Sequence, residues 1–122
     1  NKKINAYMTS IAICPYNPEE PSFMVSIYFP IQFLLVTSGH EIMHLYFHEF
    51  YWDSIEEKIG EEKTGHLKEA LTVILNHEFK DLWFFPDKGY EKHAELREFI
   101  SKQWRKEKDF DKLLDKCVKY LR

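Results

Sequence analysis

The 122-residue chain holds only two cysteines, Cys14 and Cys117. Two thiols so far apart build neither a disulfide framework nor a CxxC metal site, and both read as core thiols. A basic excess is also missing: 17 Lys and Arg stand against 20 Asp and Glu, for a formal net charge of -3. That excludes a nucleic-acid binder working through a basic surface. Long apolar runs are absent too. From Pro21 to Gly39 no Asp, Glu, Lys or Arg occurs, but Ser22, Ser26, Pro30, Gln32, Thr37 and Ser38 interrupt the stretch. It therefore falls short of the roughly 18 consecutive apolar residues of a membrane span, and reads as a segment buried from several sides. No membrane partner is expected. The chain opens on Asn1 rather than Met, as a trimmed or processed start would, and the expected compartment is the cytoplasm.

What is present suits one domain over residues 1–122, since a domain takes about 100 to 200 residues. Hydrophobic residues make up 44% and aromatic residues 16%, enough for a core without cross-links. Ile4 to Cys14 is rich in strand formers, and Ser22 to Phe29 alternates, with Phe23, Val25, Ile27 and Phe29 on one face and Ser22, Met24, Ser26 and Tyr28 on the other. An antiparallel pairing of the two is expected across the proline-rich Pro15 to Pro21 connection. Pro30 suits a first helical turn, and Ile31 to about Asp53 is apolar on nearly every side, as a central helix would be. A charged loop from about Ser54 to Gly65, a helix from His66 to about Lys80, a loop over Phe85 to Gly89, and helices from Glu91 to about Lys106 and Asp109 to Leu121 complete the reading. The last carries Phe110, Leu113, Leu114, Cys117, Val118 and Leu121 on one stripe. The expected class is α+β: a small N-terminal antiparallel sheet on a central helix, then about three further helices.

The central helix contains His40-Glu41-Ile42-Met43-His44, an HExxH segment. Residues four apart on a helix differ by about 40° in azimuth and about 6 Å in rise, so both imidazoles can converge on one Zn²⁺. Glu41 lies one position round, where its carboxylate reaches a water in the open coordination position and can act as general base. Thr37-Ser38-Gly39-His40-Glu41-Ile42-Met43-His44-Leu45-Tyr46 resembles the extended signature of zincin metallopeptidases, with uncharged residues around the histidines and a hydrophobic one at the end.

A catalytic zinc takes three protein ligands and keeps one position open. The metzincin pattern, with Gly and His three and six residues after the second histidine, is excluded by Phe47 and Phe50. His48 is about 12 Å of helix rise from His40 and fits a supporting histidine better, while His66 stays open as a third ligand. Glu69 is the choice, because its helix is too apolar to leave a carboxylate unpaired. The set His40, His44 and Glu69 is similar to that of gluzincins, whose third ligand is a glutamate on the following helix. Their frequent Asp four residues after that glutamate is Val73 here, and Asn76 is the replacement on the same face. The resemblance also implies an oxyanion donor from the C-terminal half, for which His93 is the first choice and Tyr90 the reserve. His77 fits a helix C-terminus. By the same resemblance, Ser22 to Phe29 is expected to be an edge strand that binds an extended peptide.

The function this implies is a zinc-dependent metallopeptidase acting on a peptide or protein substrate, with self-association or blockage by the terminal helices as routes of regulation. The alternative is a non-catalytic interaction module of the same fold. Glu41 argues against it, since a structural metal site has no use for a base. A carboxylate-bridged di-iron protein needs a second Glu-x-x-His on another helix, and none follows Glu69.

Overall fold

A computed structural model describes residues 3–13 and 15–122. Cys14 lies outside the described residues. The class is α+β, with three strands, β1 (Asn5–Thr9), β2 (Tyr16–Asn17) and β3 (Ser22–Ser26), followed by α1 (Ile31–Phe50), α2 (Trp52–Ile59), α3 (Glu61–Leu71), α4 (Val73–Glu78), a 3-10 turn at Glu91–His93, α5 (Ala94–Lys106) and α6 (Phe110–Leu121). Among the described residues no helix is long and apolar enough to cross a membrane.

The sheet corrects the expected antiparallel pairing. Its order is β1-β3-β2, and β1 runs parallel to β3, with Ala6 opposite Phe23 and Met8 opposite Val25. The antiparallel partner is the two-residue β2, inside the segment read as a turn-rich connection. Asn17 explains this locally. Its Oδ1 accepts from the backbone N–H groups of Glu19 and Glu20 at 3.0 and 3.3 Å, an Asx turn that folds Tyr16–Asn17 back onto Ser22 and Phe23. β3 is therefore the central strand rather than an edge.

The alternation of β3 holds where it is paired. Phe23 and Val25 are buried and meet Leu45 of α1, with Tyr16 and Leu34 alongside, while Met24 faces outward. It ends at Ser26, whose carbonyl and Oγ accept from Phe29 and Tyr28 in a turn, so Ile27 and Phe29 are not on the strand's inner face. Nor is the charge-free stretch buried throughout. Met24, Ile27, Tyr28, Ile31, Phe33 and Leu35 are exposed, whereas Phe23, Val25, Ser26 and Val36 are buried. Lack of charge here marks an apolar surface as much as an interior.

The segment expected as a charged loop is helical. Its charges occupy exposed faces while Ile55 and Thr64 point inward, and the break is confined to Gly60 at φ 82°. The helix expected from His66 is likewise divided at Thr72, whose Oγ1 donates to the Glu69 carbonyl at 2.9 Å. A hydroxyl bonded back to the helix in this way competes with the regular ladder. The main core gathers Phe47, Ile55, Leu67, Leu71, Ile74, Ile100, Leu113 and Cys117 from all six helices. Cys117 is fully buried and free. Asp109 caps α6, its carboxylate accepting from Lys112 N–H at 3.0 Å.

Candidate metal centre

His40 and His44 project from the same side of α1, and Glu69 reaches them from α3. One donor atom from each lies within 4.8 Å of the others. Glu69 Oε2 is 3.5 Å from His40 Nε2 and 3.5 Å from His44 Nε2. Ligand bonds of about 2.1 Å in a tetrahedral site put ligand atoms about 3.4 Å apart, so these spacings fit one small cation. Among the described residues this is the group of three or more His, Cys, Asp or Glu that meets the distance.

Burial gives an independent test of the fit. His44 is buried, and neither of its ring nitrogens has a hydrogen-bond partner; Glu41 Oε2, 3.6 Å from His44 Nδ1, is buried and unpartnered as well. Such orphans each cost about 1 to 3 kcal/mol, and a cation at His44 Nε2 would remove one of them. The donor set of two imidazoles and a carboxylate is that of a zinc site with an open position. Burial, aided by neighbouring positive charge, depresses His44 and keeps its imidazole neutral, as a metal ligand must be.

His40 owes its orientation to a residue that the sequence did not single out. Its Nδ1 lies 2.9 Å from Asp87 Oδ2. Burial opposes a charge on His40, but Asp87 and Glu69 outweigh it and lift the imidazole to about 9. Asp87 in turn is held well below the usual carboxylate range: burial would raise it, but the bond to His40, the charge of that imidazole and the bond accepted from Gly89 N–H overcome the burial. The carboxylate can only accept, so Nδ1 carries the proton and Nε2 is the ring atom turned to Glu69 and His44. Burial would raise Glu69, yet His40, His44 and Lys68 bring it down to about 2.

The Asp87 loop is latched from two helices. Asn76 accepts from Asp87 N–H and donates to its carbonyl, both at 2.8 Å. Buried Arg97 donates to that carbonyl from Nη2 at 2.6 Å and to Thr72 Oγ1 from Nη1 at 2.7 Å. Asn76 thus serves the site by holding the carboxylate-bearing loop instead of bonding His40 or His44 itself. Trp83 of the same connection packs on α1 beside the motif. A Cβ at Gly39 would come within 2.8 Å of its ring, so any larger residue there would have to displace the indole.

A cleft of about 610 Å³ opens beside His40 and Glu41. Phe33, Val36, Phe85 and Pro86 give it apolar walls, and Thr37, Lys88 and Tyr90 also line it. Of the two expected oxyanion donors, Tyr90 is therefore at the cleft and His93 is not among its lining residues. His93 is buried, with its Nε2 2.9 Å from His66 Nδ1. His66 pairs there rather than joining the donor group. His48 also stands outside it, 2.8 Å from Tyr16 Oη, and His77 contacts Ser101 Oγ at 2.7 Å. Asp87 stands 47 residues from His40 in the loop over Phe85 to Gly89, and nothing local in that loop pairs it with the histidine.

Compared with known proteins, the chain matches no family model, and no curated protein or solved structure matches it significantly.

Proposed function

We propose that this chain is a zinc-dependent peptidase of gluzincin-like design, in which His40, His44 and Glu69 hold the metal and Glu41 is the general base. The observation that carries the reading is the convergence of those three donors around buried, unpartnered nitrogens of His44, beside a cleft that Glu41 lines. Bound there, zinc would supply a Lewis acid that polarises a scissile carbonyl and lowers the pKa of water.

The protein's own residues carry the remaining steps. Asp87 keeps the His40 proton on Nδ1 and fixes the ring. Glu41 removes a proton from the attacking water and hands it to the departing amine. Tyr90, at the cleft rim, has the hydroxyl to donate to the developing oxyanion, and its position favours it over His93 for that role. The apolar walls exclude water around the reacting carbonyl and receive an uncharged part of the peptide.

The test is Glu41→Gln in protein loaded with zinc, assayed on a mixed peptide library by mass spectrometry. The variant should keep about one zinc per chain and lose cleavage. Equal cleavage by parent and variant removes Glu41 as base, and a zinc-loaded parent that cleaves nothing returns the alternative of a non-catalytic module.

A further inference from the structure

Lys68 and Glu69 are adjacent on α3, and adjacent residues on a helix point about 100° apart. An ion pair between them is not what the helix offers by default. Nevertheless Lys68 Nζ lies 3.0 Å from Glu69 Oε1, with only 11% of the lysine side chain exposed. A second contact bends it there. Nζ donates to Tyr16 Oη at 2.8 Å and stands 4.7 Å from the centroid of that ring.

Tyr16 is itself fixed. Its hydroxyl is 2.8 Å from His48 Nε2, and the His48 ring stacks on Trp52 with centroids 4.2 Å apart and planes 11° from parallel. The direction of each bond follows from chemistry. An ammonium only donates, so Lys68 gives protons to Tyr16 Oη and Glu69 Oε1, and the tyrosine gives its own to His48. Burial and the nearby Lys68 charge keep His48 neutral, leaving Nε2 free to accept. Three elements, β2, α1 and α3, are thus linked through Lys68 to one oxygen of Glu69.

We infer that Lys68 is a positioning residue that restricts Glu69 to a single ligand oxygen, and that Tyr16 and His48 exist in this arrangement to hold Lys68. The inference rests on the metal reading above. A carboxylate with both oxygens free can grip a cation through two of them. With Oε1 taken by an ammonium, only Oε2 faces the His40 and His44 nitrogens, and the position that a second oxygen would fill stays open. The lysine charge also offsets that of Glu69, so a bound cation keeps more of its electrophilic character. His48, which its distance along the helix excludes from the ligand set, gains a role here.

Cobalt(II) is the probe, because its visible absorption depends on coordination number: strong at four, weaker at five. The full chain is loaded with Co²⁺ as parent, Lys68→Met, Lys68→Arg and Tyr16→Phe. Lys68→Met should lose much of the parent's visible absorption as Glu69 becomes bidentate, while Lys68→Arg, which still donates to Oε1, should retain it. Tyr16→Phe removes the acceptor that holds the lysine and should move the spectrum in the same direction, so a Lys68→Met protein that fails to fold does not end the test. Folded Lys68→Met or Tyr16→Phe with the parent spectrum overturns the inference and leaves the metal centre standing. A parent that gives no protein-bound Co²⁺ spectrum overturns both.

Discussion

Replacing Asp87 by alanine removes the carboxylate that orients His40 from its Nδ1 side. The substitution removes the 2.9 Å contact to His40 Nδ1, the 3.1 Å bond accepted from Gly89 N–H and a long 3.9 Å ion pair with Arg97. It leaves the loop anchored, because Asn76 and Arg97 also grip the backbone of residue 87, through bonds that the substitution does not touch. The loss should therefore appear at the metal, not as a displaced loop. Partners that orient a ligating histidine are each worth about 10- to 100-fold in metal affinity, or about 1.4 to 2.7 kcal/mol at about 1.4 kcal/mol per factor of ten. Alanine, which leaves Nδ1 without an acceptor, belongs at the upper end. Asparagine keeps a neutral acceptor and drops the charge, and belongs near the lower. Competition against a chromophoric chelator at neutral pH measures both, with circular dichroism confirming that the metal-free proteins are folded. An Asp87→Ala protein that binds zinc as tightly as the parent would refute the orienting role.

Three other predictions concern the ligand set, the latch and the core. Glu69→Ala should abolish stoichiometric zinc binding while His66→Ala retains it; metal analysis after chelator-free purification decides, and the opposite pattern would move the third ligand to His66. Gly89 sits at φ 63°, and a Cβ there would lie 2.6 Å from Arg97 Nη1, so Gly89→Ala should cost at least about 1 to 2 kcal/mol from the left-handed backbone alone, read as a lower unfolding midpoint; an unchanged midpoint contradicts it. Burial pushes the Cys117 thiol up to about 12, and thiolate is the reactive form. Its peptide should stay unalkylated in native protein at neutral pH and react fully in urea, and equal rates in the two states would show that Cys117 is not enclosed.

What could be read from the residues alone followed the range of the interaction. HExxH is local, and helix arithmetic brings His40 and His44 to one side whatever else the chain does. Glu69 was reachable because the apolar stretch from Lys68 to Asn76 has one carboxylate in it and raises the question of what pairs with that carboxylate. Asp87 was not reachable in this way, since its link to His40 exists only after α4, α5 and Arg97 have set the loop's position. The sheet failed for a related reason. Alternation in Ser22–Ser26 identifies a strand and its inner face, but the parallel partner depends on where a twelve-residue connection returns, which Asn17 settles through a turn whose outcome is tertiary. The charged segment around Gly60 misled in the opposite sense, because a run of exposed charges is equally the outer faces of two short helices when Ile55 of one and Thr64 of the next turn inward.

The electrostatics of the site explain why these separate features belong together. Around the donor group stand Glu41, Glu69 and Asp87 on one side and Lys68 and Arg97 on the other, with His44 kept neutral by burial. One negative charge is left over in a partly enclosed space, where an uncompensated charge is expensive. Without a metal the protein's own remedy is to protonate His40, which is why that imidazole is lifted to about 9 despite its burial. The same field that retains a proton on the His40 ring would retain a cation at Nε2, and the two compete for one position, so metal binding must release that proton and weaken as the solution becomes more acidic. Asp87 contributes to both outcomes. It draws the proton to Nδ1, on the far side of the ring, and so leaves Nε2 as the atom at which the competition is decided.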